Sequence, residues 1–126
     1  MAAKETFGAY LRELRLKAGY GLRRFAEKAG FQPSNLSSLE RGKLRPPRDA
    51  ERLDEMADAL GLPEETPERQ KLYDLAARAQ QAPLPADVEA YAKRRKAVPV
   101  LLRTARSKNL TDGDLRKLIE HINKHF

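Results

Sequence analysis

Two sets of neighbouring side chains have the types and spacing to do chemistry, and both suit contact with a polyanion. The first is Ser34, Asn35, Ser37 and Ser38, short hydroxyl and amide groups followed by no charge until Glu40. Such groups allow close approach and can both donate and accept hydrogen bonds, as base edges and phosphate oxygens require. The second is Arg41, Lys43, Arg45 and Arg48, with no acid after Glu40 until Asp49. Cations at that density neutralise phosphates and release their condensed counterions.

Other arrangements are weaker. His121 and His125 are four residues apart, a spacing that could present two imidazoles to a metal from one helix face. No Cys and no third preorganised ligand accompany them, so they read as two surface histidines. The carboxylate pairs Asp54–Glu55 and Glu64–Glu65 fall beside caps or on an outer helix face. Nothing in the pattern supplies a pocket to perturb them. The absence of Cys excludes disulfides, thiolate metal sites and cysteine nucleophiles. No phosphate loop, nucleophile elbow or HExxH pattern occurs. The expectation is a non-enzyme with no metal and no cofactor.

The chain of 126 residues has 25 Lys and Arg against 18 Asp and Glu, a formal charge of +7. The excess is split almost evenly, +3 over residues 1–62 and +4 over residues 63–126. Locally it is sorted: an acidic stretch runs from Asp49 to Glu68, and a basic segment runs from Lys93 to Lys108. A surplus of this sign favours nucleic acid as partner, with an anionic membrane surface second. No apolar run approaches the roughly 20 residues of a membrane span. No signal-like apolar segment follows residues 1–4. A cytoplasmic protein with no membrane partner is expected.

The elements that must position these groups are helical, since apolar spacing follows the helical period nearly everywhere and no window alternates as a strand would. A first helix is expected at Phe7–Lys17, with Phe7, Leu11, Leu14 and Ala18 on one face. The second runs over Leu22–Ala29 with Phe25, Ala26 and Ala29 inward and Gly30 as its stop. The third opens at Gln32 with Pro33 in its first turn, buries Leu36 and Leu39, and ends at Gly42. After the loop Leu44–Pro47, Asp49 caps a fourth helix carrying Leu53, Met56, Ala57 and Leu60. Thr66-Pro67 starts a fifth, with Leu72, Tyr73, Leu75, Ala76 and Ala79. The prolines of Ala82–Ala86 forbid continuous helix. Shorter helices follow at Asp87–Lys96 and from Pro99. Thr111 and Asp114 form a capping-box start for the last, whose inner face is Leu115, Leu118, Ile119 and Ile122. The whole reads as an all-α chain of about eight helices, with a boundary between residues 61 and 86.

The second and third helices have the dimensions of a helix-turn-helix, and Ala26 is small where they would cross. The run LRELRLKAGYGLRRFAEKAGFQPSNLSSLERGKLRPP is similar to the phage-repressor/Cro-type helix-turn-helix family, also called the xenobiotic-response-element family of bacterial regulators. The resemblance covers roughly residues 7–61. It implies an N-terminal five-helix, lambda-repressor-like DNA-binding domain, placed at residues 1–80, with a small helical C-terminal region at 81–126 for dimerisation or regulation. It implies that the third helix, about Pro33–Arg41, enters the major groove. On that register Pro33, Ser34 and Ser38 face bases, joined by Asn35 if it turns inward. Ser37, Arg41, Lys43 and Arg45 fall near phosphates, and Arg15 and Glu40 match a family ion pair tying the first helix to the third. Two departures stand out. Gly21-Leu22 occupies a place where the family has a Ser or Thr cap and a polar residue, so Arg23 or Arg24 would supply that phosphate contact. The base-facing residues include no Arg or Gln, so specificity would lean on DNA shape and on arginines of the 41–48 loop.

The segment VPVLLRTARSKNLTDGDLRKLIEHI resembles the C-terminal part of repressors of this family that dimerise there, some of them inactivated by a companion zinc metallopeptidase. Val100, Leu101, Leu115, Leu118, Ile119 and Ile122 are the dimer candidates; the alternative is that they pack back on the fourth and fifth helices. The expected function is a sequence-specific, homodimeric transcriptional repressor on double-stranded DNA. The alternative is an antitoxin or protease-controlled repressor whose C-terminal half binds a toxin or metallopeptidase. The basic segment Lys93–Lys108 is left without an assigned role.

Overall fold

Eight α-helices and no strand make up the described residues, 5–126, of a computed structural model. They are α1 (Phe7–Lys17), α2 (Leu22–Ala29), α3 (Pro33–Glu40), α4 (Ala50–Ala59), α5 (Pro67–Ala79), α6 (Ala86–Arg94), α7 (Ala97–Ser107) and α8 (Asp112–His125). None is long and apolar enough to cross a membrane. The expectation drawn from the first four residues lies outside the described residues.

Side-chain caps start four of the helices. Thr6 Oγ1 accepts the Ala9 N–H at 3.1 Å, and the Asp49 carboxylate accepts the Glu51 N–H at 3.2 Å. Thr66 Oγ1 accepts the Arg69 N–H while donating to the Pro63 carbonyl. At α8 the reciprocal box is complete: Thr111 Oγ1 accepts the Asp114 N–H, and Asp114 Oδ2 accepts the Thr111 N–H. Those backbone and hydroxyl donors hold the Asp114 carboxyl below its ordinary value. α7 begins at Ala97, two residues before the expected Pro99. Proline fits there because first-turn N–H groups have no intrahelical acceptor in any case. α6 ends at Arg94, two residues short of expectation.

The chain divides into two compact units, residues 1–90 and 91–126. In the first, α1 packs on α3 and α5, α2 on α3 and α4, and α4 on α5. Phe25, Leu11, Leu36, Leu53, Met56 and Leu72 are its largest fully buried side chains. Ala18 and Ala79, expected on apolar faces, are exposed, because each sits at the end of its helix where the chain turns away. Tyr10 is buried on α1 instead, and its hydroxyl donates to the Glu68 carbonyl at 3.1 Å, joining α1 to α5. Burial raises the Tyr10 pKa above its ordinary value. Arg69, also buried, reaches from α5 to Asp58 at 2.7 Å, to Asp54 at 3.3 Å and to the Leu62 carbonyl at 2.8 Å.

In the second unit no described side chain is fully buried. The face of α8 expected to point inward is open: Leu115, Ile119 and Ile122 are exposed and Leu118 is half-buried. Val100, Leu101 and Leu102 of α7 are exposed as well. A 36-residue unit has too little interior to cover two such helices.

Gly8 fixes how closely α1 approaches α3. A Cβ at this position would lie 2.4 Å from the Leu39 carbonyl oxygen and 2.5 Å from that of Glu40, both backbone atoms with little freedom to retreat. Gly8→Ala should therefore lower stability by about 1–3 kcal/mol, overriding a helix-propensity gain of about 1 kcal/mol. Gly113→Ala on α8, where an added Cβ would meet only Thr111 Oγ1 at an ordinary 3.7 Å, should be neutral or stabilising. Urea unfolding of the two variants checks the contrast; a stabilised Gly8→Ala protein would contradict the close approach.

Candidate nucleic-acid interface

The turn between α2 and α3 is built from a glycine and a distant arginine. Gly30 takes the left-handed conformation, φ 77°, which a side chain would strain. Its N–H and that of Phe31 return to the last turn of α2, the Phe31 N–H reaching the Ala26 carbonyl at 2.7 Å. Arg52 of α4 then takes the carbonyls of the last helical residue and of the cap, donating from Nη1 to Ala29 at 2.6 Å and from Nη2 to Gly30 at 3.1 Å. Its guanidinium lies 4.0 Å from the centroid of the Phe31 ring and is paired with Glu55 at 2.7 Å. A cation at the C-terminus of α2 also opposes the negative end of its dipole. The sequence reading passed over Arg52 because it lies inside the Asp49–Glu68 acidic stretch; no local pattern marks it as a cap for a helix more than twenty residues away.

α3 is held from the other side by α1. Arg15 and Glu40 form a two-pronged pair, Nε to Oε2 at 2.7 Å and Nη2 to Oε1 at 2.9 Å. Arg15 Nη1 donates to the Tyr20 carbonyl at 2.9 Å, so the same guanidinium fixes the α1–α2 connection. Both side chains are withdrawn from solvent, 8% and 5% exposed. The hydrogen bond to Glu40 raises the Arg15 pKa further, so the guanidinium stays charged. The consequence for α3 is electrostatic as well as mechanical: Glu40, the one anion of the helix, is neutralised inside the protein.

With Leu36 and Leu39 buried, the opposite side of α3 is left to solvent. Pro33, Ser34 and Asn35 are exposed, and Ser37 and Ser38 are half-buried. Ser34 and Ser38, four apart, share a face. Arg41 is exposed and turns its Nε back toward the Ser37 carbonyl at 3.4 Å. Arg12, Glu13, Leu16, Leu22, Ser37 and Arg41 line one open depression beside the Arg15–Glu40 pair. Lys43, Arg45 and Arg48 follow in the exposed loop, and Arg23 and Arg24 are exposed on the first turn of α2. Among the described residues these five cations carry no carboxylate partner, whereas Arg15, Arg52 and Arg69 are consumed internally. The N-caps of α2 and α3, Gly21 and Gln32, make no side-chain cap hydrogen bond, so the first-turn N–H groups that these helices possess are left uncapped by side chains.

The remaining expected site residues are not part of this cluster. Val100, Leu101, Leu115, Leu118, Ile119 and Ile122 belong to the unit of residues 91–126. His121 and His125 face each other on α8 with ring centroids 4.2 Å apart. No group of three or more His, Asp or Glu suited to a metal occurs among the described residues.

The family model described as Helix-turn-helix domain matches residues 6–72, from the N-cap of α1 into α5. No curated protein and no solved structure matches the chain.

Because Arg15 is buried against one carboxylate, removing that carboxylate strands a charge. Glu40→Ala should cost about 3–5 kcal/mol of stability, far more than an exposed ion pair is worth. Glu40→Gln, which keeps one acceptor, should cost less. Denaturant midpoints measure both; a loss below about 1 kcal/mol in Glu40→Ala would show that the pair does not hold α1 to α3.

Proposed function

Since the chain belongs to the helix-turn-helix domain family, we propose that it is a sequence-specific DNA-binding transcriptional regulator of the phage-repressor/Cro type. It acts as a dimeric repressor, laying α3 in the major groove and occluding polymerase at an inverted-repeat operator. The observation that carries this reading is the juxtaposition on α3: an exposed, uncharged face of short side chains runs directly into exposed unpaired cations, with Glu40 neutralised by Arg15 between them.

The roles divide by chemistry. Arg41, Lys43 and Arg45, with Ser37 and with Arg23 and Arg24 on α2, contact phosphates and fix the register of the protein on the duplex. Pro33, Ser34, Asn35 and Ser38 approach base edges. Asn35 is the one side chain among them able to make a two-point contact with adenine. Small hydroxyls discriminate less sharply than Arg or Gln, so groove width and deformability contribute to selection. Residues 1–80 form the DNA-binding part and residues 81–126 the dimerisation or regulatory part. The exposed Leu115, Ile119 and Ile122 stripe, with Leu101, supports the second role. That same stripe supports the alternative, an antitoxin or protease-controlled repressor whose C-terminal half is gripped by another protein.

A two-fold dimer presents its two α3 helices one turn of DNA apart, roughly 34 Å. Selection of bound duplexes from a random pool should therefore yield an inverted repeat with half-sites spaced by one turn. On the selected site, Ser34→Ala or Ser38→Ala should change the order of preference among related sequences. Arg41→Ala or Lys43→Ala should weaken binding to all sequences alike and lower the salt slope by about one unit each. A pool that stays random after selection would overturn the proposal.

A further inference from the structure

Dividing the charge by structural unit changes its meaning. Residues 1–90 hold fifteen Lys and Arg and fifteen Asp and Glu, a net of zero. Residues 91–126 hold ten Lys and Arg and three Asp and Glu, a net of +7. The entire surplus of the protein thus lies in the unit that the family match does not reach. An even split between sequence halves had concealed this, because the cut at residue 62 left six acids of the first unit in the second half.

We infer that residues 91–126 are a second DNA-contacting unit, binding phosphates without regard to base sequence and supplying most of the electrostatic affinity. This rests on the DNA-binding reading above and assigns it a partner surface outside the helix-turn-helix. Arg94, Lys96, Arg103, Arg106 and Lys108 are all exposed and have no carboxylate partner among the described residues. Arg103 and Arg106 are three apart and share one side of α7, set off from the half-buried Val98 and Ala105. The three acids of the unit do not cancel this field. Asp112 and Asp114 sit in the first turn of α8, Asp114 within the capping box, which leaves Glu120 alone on the body of the helix.

Half of the eight acids of the Asp49–Glu68 stretch are also committed. Asp54 and Asp58 pair with Arg69, Glu55 pairs with Arg52, and Asp49 caps α4. An external polyanion is therefore the better match for a net of +7 than the acidic stretch of the same chain. Among external polyanions, duplex DNA is the one that the first unit is already suited to hold. Linking two contacts on one chain raises the affinity of each through effective concentration.

The test is the dependence of duplex affinity on salt, measured with the full chain on a short duplex of unselected sequence. Neutralising five cations by Arg94→Gln, Lys96→Gln, Arg103→Gln, Arg106→Gln and Lys108→Gln should flatten the slope of log K against log salt by about 0.9 for each that meets a phosphate. A fall of about two units or more supports the inference; anything smaller overturns it. The charge-conserving variant Arg94→Lys, Arg103→Lys, Arg106→Lys should keep the parent slope. Circular dichroism should show equal helicity in all three proteins, and a neutralised variant with lost helicity is replaced by Arg103→Gln, Arg106→Gln alone, with a fall of about one unit or more expected. Phosphatidylserine vesicles that bind the parent but not the neutralised chain, with an unchanged DNA slope, would overturn the inference in favour of a membrane. If the parent binds no duplex at about 50 mM salt, the DNA-binding reading itself fails. If it binds and only the neutralised slope stays put, the inference alone fails.

Discussion

One buried ion pair sets the position of α3, the helix proposed to read DNA. Arg15 reaches from α1 to the last residue of α3 and grips both oxygens of Glu40, then spends its third nitrogen on the carbonyl of Tyr20. A fork-to-fork pair of this kind fixes orientation as well as distance, because two parallel hydrogen bonds tolerate little rotation. Gly8 tightens the same contact between the helices, since its missing side chain lets α1 settle directly on the carbonyls of Leu39 and Glu40. Together they hold the end of α3 rigidly while its first turn stays open to solvent. Arg52 does the same for the beginning of α3, by capping the carbonyls of Ala29 and Gly30 from α4. A helix of only eight residues has little stability of its own, so this external clamping is what gives it a defined pose.

The cations of the first unit consequently fall into two populations. Arg15, Arg52 and Arg69 are turned inward or along the surface to satisfy carboxylates and orphan carbonyls, and they build the scaffold. Arg23, Arg24, Lys43, Arg45 and Arg48 are spread over exposed positions around α3 without such partners. The first unit is neutral as a whole, yet the segment that follows α3 is positive, because eight of the unit's fifteen acids are gathered between Asp49 and Glu68. Local sorting, and not net charge, makes the face of α3 suited to an anionic duplex.

Much of this was legible in the sequence, and the reasons differ by residue. Thr66-Pro67, Asp49 and the Thr111–Asp114 pair mark helix starts by local chemistry, which short-range pattern reveals. Leu36, Leu39 and the short polar residues between them reveal both faces of α3 at once. Gly8 was not legible, since a glycine inside a helix carries no sign of what lies against it. Arg52 and Arg69 were hidden for a related reason: apart from Glu55, their partners lie seven to more than twenty residues away, and in the sequence they look like ordinary surface cations. The α8 stripe was legible as a stripe but not as exposed, because periodicity shows that one face is apolar without showing what covers it. The place of the charge surplus depended on where the compact units divide, after Ala90.

The central claim is that base selection comes from the uncharged face of α3, while cations elsewhere provide affinity. Its most direct test is the ratio of affinities for a selected duplex and a scrambled one, followed from about 50 to 200 mM salt. Both affinities should fall steeply as counterion release weakens, while the ratio between them holds or grows. A ratio that collapses toward one as salt rises would show that the discrimination is itself electrostatic, and would contradict the account.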